Sequence, residues 1–466
     1  MQANETKLQN IIEGIVQYVI PLFQRSYSWT LKEWQILWDD ITELCEAEKP
    51  RPHFIGSIVS LPTTSVPEGV TKYLLIDGQQ RLTTIFILLT LLRDKAKSDG
   101  DEGLAAEIHE TYLVNKFKKG LDHFKLLPTQ TDRLAFTNLI LGKNTLIESS
   151  IQNAYLFFKN LLAKEPIALD KIQTAVTSLF SIVSIVLDHQ DNPHLVFESL
   201  NAKGRPLTQS DLIRNYFFMR IHAEQQNEVY QAYWQPMQEA LNENLTEFIR
   251  HFLMRKYKTV KQSDVYSVLK DEVQPSNAIA YLQNLNRFSA FYDKLLHPTK
   301  EGNLGVRKCL LRLNRIEVTT AYPLLLHCYD YYECGKLTAI EFAKVLQILE
   351  NYLIRRFVCG IPTNQLNKLF PAIQAQMLDI EHMVFVNQFA TVLQTKGYPK
   401  DAEFKTKFIE TKMYGGGDRA VKTKLILESI EAHFHHKEQV NIDQTTIEHL
   451  MPQTLTDWWR THLGDE

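Results

Sequence analysis

Lys72 to Ile76 is a short apolar run that enters Asp77-Gly78 directly, and Gln79-Gln80-Arg81 then leads into a strongly apolar stretch. The spacing predicts a strand, a two-residue turn and a helix from about Arg81 to Lys95. A strand that turns this abruptly into a helix commits the N-terminal part of the chain to α/β structure. At such a junction the first backbone N–H groups of the helix lack partners and the helix dipole is positive, so an anion such as a phosphate is well placed. Gly78 allows the sharp turn and the close approach of a ligand. Gln79 and Gln80 offer neutral donors and acceptors, and Arg81 a planar fork suited to phosphate oxygens. Asp77 can hold a metal ion or orient a water, and Thr83 and Thr84 add hydroxyls. The same residues also fit a plainer reading, a turn whose Asp caps a helix and whose Arg makes a surface ion pair. The D-G-x-x-R spacing alone does not separate the two.

The neighbouring segments extend the α/β reading. Gly14–Ile20 is strand-like, and Gln24–Trp29 reads as a loop. Thr30 with Glu33 forms a capping box for a helix that presents Trp34, Leu37, Trp38 and Ile41 on one face. Phe54–Leu61 is a further strand. Beyond residue 100 the pattern is almost wholly helical, as in Ile151–Ala163, Asp170–Leu187, Leu245–Tyr257, Phe288–Leu296 and Ile340–Phe357. Thr208 with Asp211 opens another helix in capping-box form, and Gly415-Gly416-Gly417 reads as a joint. A helix from Ala420 to about His433 precedes a short strand pair, Gln439–Ile442 and Thr445–His449. The expected fold class is α+β: a small α/β N-terminal domain, a large mostly helical region, and the beginning of a third domain.

With 466 residues and 44% apolar content, the chain can support two or three cores. Its net charge of -3 neither announces nor excludes a nucleic-acid partner. Three basic groups are candidates for phosphate contact: Lys116-Phe117-Lys118-Lys119, then Arg307-Lys308 with Arg312 and Arg315, then Arg355-Arg356. Five cysteines without a C-x-x-C pair suggest reduced thiols. The N-terminus has no signal-peptide core, and Ile85–Leu92 is too short to span a bilayer, so a cytoplasmic protein without a membrane partner is expected. His433, His435 and His436 lack cysteine partners at zinc spacing and read as a solvated helix end.

A second Gln-Arg pair, Gln24-Arg25, lies in IPLFQRSYSW. Together with HFIGSIVSL and LLIDGQQRLTTI it resembles the ParB/sulfiredoxin-like nucleotide-binding domain of GmrSD-type, modification-dependent restriction enzymes. Ordered matches continue through Lys125–Thr129 with Asp132-Arg133, Phe197–Leu207 with Asp211–Asn215, and Arg355-Arg356 with Asn364, Asn367 and Lys368. The resemblance implies binding and hydrolysis of a nucleoside triphosphate, with GTP, ATP and UTP not distinguished, and Mg2+ as cofactor. Asp77, Gly78, Gln79, Gln80 and Arg81 match the family's nucleotide motif, and the chemistry of their side chains makes Asp77, Gln80 and Arg81 the expected catalytic residues. Gln24 and Arg25 match the family's first box; with Gly78, Gln79, Thr83 and Asn201 they are the expected nucleotide-binding residues, and Asp77, by its carboxylate, is the expected metal ligand. Asn201, before Gly204, fits either a pocket wall or a purely structural turn.

The segment TIEHLMPQ followed by Trp458-Trp459 resembles the opening of that family's HNH-like (His-Me finger) nuclease domain, and His449 matches its catalytic histidine. A histidine there would deprotonate the water that attacks a phosphodiester. The downstream family segments do not appear before Glu466, so residues 416–466 are expected to form an incomplete nuclease domain. Residues 1–100 are expected to form the nucleotide-binding domain, and 101–415 a helical domain that completes the nucleotide and DNA-sensing module. The expected function is a defence protein that hydrolyses NTP, senses modified DNA and couples turnover to nicking. The competing expectation is a non-catalytic, nucleotide-dependent switch that binds DNA or a partner. Glucosylated hydroxymethylcytosine and a phosphorothioate backbone both fit as the DNA mark, with Tyr27, Trp29 and Trp34 as aromatic readers by type. A homodimer is compatible with the sequence.

Overall fold

A computed structural model describes residues 2–63, 69–143, 148–164, 167–188, 208–377, 384–413, 415, 417–434, 445 and 454–463. The chain divides into two compact units. The first comprises residues 1–236 and 266–282, and the second residues 237–265 and 283–466.

The first unit is built on a sheet of six strands among the described residues: β1 Gln2–Lys7, β2 Val16–Val19, β3 His53–Pro62, β4 Thr71–Asp77, β5 Leu126–Leu127 and β6 Phe180–Val186. Their order is β1-β6-β3-β4-β2-β5. β1 pairs antiparallel with β6, and β3 antiparallel with β4; the other three pairings are parallel. Strands β2, β3 and β4 lie where the sequence places them.

Two features depart from the sequence reading. The first residues form strand β1. Asp170–Leu187, expected as one helix, is a helix only over Leu169–Thr174; after a π-helical turn at Ala175–Leu179 it becomes β6. The run Ile182-Val183-Ser184-Ile185-Val186 is rich in β-branched residues, and β1 and β3 on either side supply its ladder bonds.

Helix Gln79–Ser98 is the centre of the core. Leu82, Phe86, Ile87, Leu88, Leu89 and Leu92 are each 0% exposed, so apolar residues are buried on every face. Phe86 packs on Phe136 and, nearby, Trp38 on Phe158. Helix Leu31–Glu46 begins with the expected capping box. A smaller apolar cluster of Val59, Ile76 and Leu187 packs with Leu212 of helix Gln209–Phe218, which opens on the expected Thr208–Asp211 box.

The second unit is helical among its described residues. Helix Ala339–Val358 is capped by Thr338 with Glu341 and matches the expected 340–357 stretch closely. Stacked Phe291 and Tyr329, with Phe342 edge-on to Tyr329, form part of its core. Helix Asp418–Phe434 follows the glycine joint. No helix among the described residues is long and apolar enough to cross a membrane. All five cysteines are free. The strand pair expected at 439–449 lies outside the described residues, apart from Thr445.

Candidate functional site

β4 delivers Asp77 to the turn, and Gly78 then adopts φ 90°, ψ 5°. A Cβ at Gly78 would lie 3.0 Å from Ile58 Cγ1 and 3.2 Å from the Ser57 carbonyl, so both space and backbone demand glycine. The helix starts at Gln79 and its N-terminus carries no side-chain cap. Gln79 is 8% exposed, and its Oε1 is buried without a hydrogen-bond partner.

Arg81 is held from three sides. Nη1 donates to the Ile55 carbonyl at 2.9 Å, and Nη2 lies 3.5 Å from Asp77 Oδ2. Its guanidinium also fills the space that a side chain at Gly56 would take, since a Cβ there would overlap Nη1. Gly56 has φ 107° and lies at the register shift between β3 and β6, a bulge in the strand beside the turn. Burial lowers the pKa of the Arg81 guanidinium, and Asp77 opposes that shift.

The Gln24–Ser28 loop is fastened to this turn through its backbone. Gln24 Nε2 donates to the Ile76 carbonyl at 3.1 Å. Gln80 spends both ends of its amide on the loop: Oε1 accepts from Ser28 N at 2.8 Å and Nε2 donates to the Ser26 carbonyl at 3.2 Å. Tyr27 N donates to Asp132 Oδ2 at 2.7 Å, which also accepts from Thr129 Oγ1 at 3.0 Å. Burial raises the Asp132 pKa, and those two bonds oppose the shift. Arg214 Nε donates to the Phe23 carbonyl at 2.7 Å while its Nη2 donates to Asp211 at 2.7 Å.

The structure thus brings Asp77, Gly78, Gln79, Gln80, Arg81 and Gln24 to one turn, with half-buried Arg25 in the adjoining loop. Thr83, the fifth residue of the helix, is 2% exposed. Asn201, with Glu198 and Gly204, lies outside the described residues, as do His435, His436 and His449. Among the described residues no group of three His, Cys, Asp or Glu side chains is placed to hold a metal ion. A magnesium ion needs less from the protein, because one or two carboxylates plus substrate phosphates and water complete its shell. Asp77, about a quarter exposed, fits that requirement.

Tyr27 and Trp34 are not open to a DNA mark. They are 6% and 5% exposed, and Trp34 Nε1 donates to Tyr27 Oη, which bonds Thr84 in turn. Gly56 was missed by sequence reasoning. A glycine inside the strand-like run 53–61 is the signal that would have marked a bulge.

Residues 6–218 match the family model for the GmrSD restriction endonuclease N-terminal domain, and residues 398–466 match that for the C-terminal domain of GmrSD restriction endonucleases. No curated protein matches the chain. The candidate turn, its Gln-Arg loop and the buckles at Asp132 and Arg214 all fall within the first match. With both domain models matched in order along one chain, the protein belongs to the GmrSD-type restriction endonucleases.

Proposed function

We propose that the first unit binds a nucleoside triphosphate with Mg2+ at the Asp77–Arg81 turn and hydrolyses it, and that this turnover controls a nuclease that acts on modified DNA. The observation that carries the reading is the uncapped N-terminus of helix Gln79–Ser98, beside a buried Gln79 Oε1 that has no partner. An open helix N-terminus is satisfied by an anion such as a phosphate, and an unpaired buried amide oxygen by a donor such as a ribose hydroxyl, and a nucleotide carries both.

In this reading Arg81 and the helix N-terminus hold phosphate oxygens, Gly78 lets them approach, and Asp77 serves the metal or the attacking water. Mg2+, when bound, neutralises phosphate charge. Gln24 and Gln80 act as positioning residues, because their amides already hold the loop that carries Arg25. His449 is the proposed nuclease base, and Asn201 a proposed pocket wall. Residues 1–100 are assigned to nucleotide binding, 101–415 to completing the nucleotide and DNA-sensing module, and 416–466 to the nuclease, in a protein acting in the cytoplasm.

The test is Mg2+-dependent turnover of GTP, ATP and UTP by the full chain and by Asp77→Ala. The variant should lose at least roughly tenfold in rate, as expected when a group that stabilises transition-state charge is removed. Unchanged turnover would show the Asp77 role to be wrong. Tight NTP binding with no turnover in the parent chain would favour the non-catalytic switch.

A further inference from the structure

The arginines of two of the three basic groups in the sequence are spent inside the second unit. Arg312 is paired with Glu350, Arg315 with Glu428 and Arg355 with Asp401, while Arg307 donates to the Glu301 carbonyl. Arg356 is 4% exposed and donates to the Pro362 carbonyl. The third group, Lys116-Phe117-Lys118-Lys119, lies in the first unit and is different in kind.

Phe117 is 88% exposed and Leu121 51%, at the tip of a loop that is firmly held at its base. Asn115 N donates to the His123 carbonyl at 2.7 Å, and Asn115 Nδ2 donates to the carbonyls of Val16 at 3.1 Å and Asp122 at 3.0 Å. Gln17 Nε2 donates to the carbonyls of Leu121 at 2.6 Å and Phe124 at 2.8 Å. The flanks, Val114 and Phe124, are buried. A loop pinned at both ends in this way cannot fold back to cover Phe117. The lysines beside it are Lys116, which reaches Glu110 at 2.7 Å, half-buried Lys118 and exposed Lys119. An ion pair as exposed as Lys116–Glu110 is weak, so Lys116 can exchange its partner for a phosphate.

An exposed aromatic ring among lysines on a rigid tip matches a duplex surface, where ammonium groups meet phosphates and an apolar wedge enters between base steps. The tip lies at the end of the sheet opposite the Asp77–Arg81 turn. Asp122 pairs with Lys72 near the start of β4, whereas Asp77 ends it. Over a strand of that length, at about 3.3 Å per residue, the two sites are roughly 20 Å apart.

We infer that the 116–121 tip is a DNA-contacting wedge, with Phe117 entering the duplex and Lys116 and Lys119 on flanking phosphates. The inference rests on the reading of this chain as a protein that acts on DNA.

The test uses the full chain and a labelled duplex of about 30 base pairs with plain bases, since phosphate and wedge contacts do not depend on sequence. Binding is measured by anisotropy across a salt series for the parent, Phe117→Ala, Phe117→Trp and Lys119→Ala. Lys119→Ala should weaken binding and lower the slope of log K against log salt by about 1. Phe117→Ala should weaken binding about tenfold with the slope unchanged, because an apolar contact and no charge is lost, and Phe117→Trp should retain affinity. All three should keep the parent's melting temperature and its DNA-free NTP turnover, because the altered side chains are exposed and far from the turn. A parent that binds DNA while every variant keeps its affinity and slope overturns the wedge and leaves the DNA reading standing. A parent that does not bind the plain duplex overturns the wedge, whose phosphate and stacking contacts need no modified base, and leaves the modified-DNA reading standing. Binding to anionic phosphatidylserine vesicles that Phe117→Ala abolishes, with DNA affinity unchanged, also overturns the wedge.

Discussion

Arg81 illustrates how a single side chain is positioned by an absence. Its guanidinium rests where Gly56 has no Cβ, donates to Ile55 and faces Asp77. Gly56→Ala should displace the far end of Arg81, at a folding cost of about 1 kcal/mol from the positive φ. Under the triphosphate reading, Gly56→Ala and Arg81→Ala should each lower kcat/KM roughly 10- to 100-fold, the range for losing a charged hydrogen bond. The double variant should be no worse than Arg81→Ala alone. An additive double variant would show that Gly56 acts on something other than Arg81.

Lys125 is positioned by burial. It is 2% exposed, and Nζ donates to the carbonyls of Ile12 at 2.9 Å and Thr111 at 2.6 Å. Burial pushes its pKa down from 10.5 to about 8, against the opposing pull of Glu13. Between those values the unfolded chain holds the proton and the folded chain does not, so this group makes stability rise with pH from about 8 towards 10.5. Below that window both states are protonated and the desolvation cost is fully present. Denaturant titrations should show the parent gaining on Lys125→Met as pH rises through the window; parallel curves would refute the shift.

At the scale of elements, the strand–turn–helix at 72–95 and the capping boxes at Thr30 and Thr208 were legible because each depends on residues only a few positions apart. β6 was not. Its residues have apolar spacing that serves a helix or a buried strand, and periodicity alone does not choose between them. The choice came from β1 and β3, which offer unpaired edges on both sides. Ile182, 0% exposed within β6, supports the core directly. Ile182→Ala should cost about 2–5 kcal/mol in the unfolding of the first unit. A cost under about 1 kcal/mol would be that of an exposed position.

At the scale of the molecule, the two matched family segments bracket a helical stretch that neither covers. The sheet of the first unit pairs residues 2–7 with 181–186, so its closure waits on a contact across most of that unit's sequence. The same long reach decided the fate of the basic groups. Arg312, Arg315 and Arg355 look as available in sequence as Lys119 does, yet carboxylates 38, 113 and 46 positions away neutralise them. By itself the sequence determined the α+β class, the turn at Asp77–Arg81 and the family resemblance, because those rest on local spacing and ordered motifs. Only the tertiary structure decided that Gln24 and Gln80 hold backbone, that Arg81 rests on Gly56, that residues 180–186 form a strand, and that Phe117 stands exposed. Each of those depends on a partner, or on the lack of one, far along the chain, which local pattern does not encode.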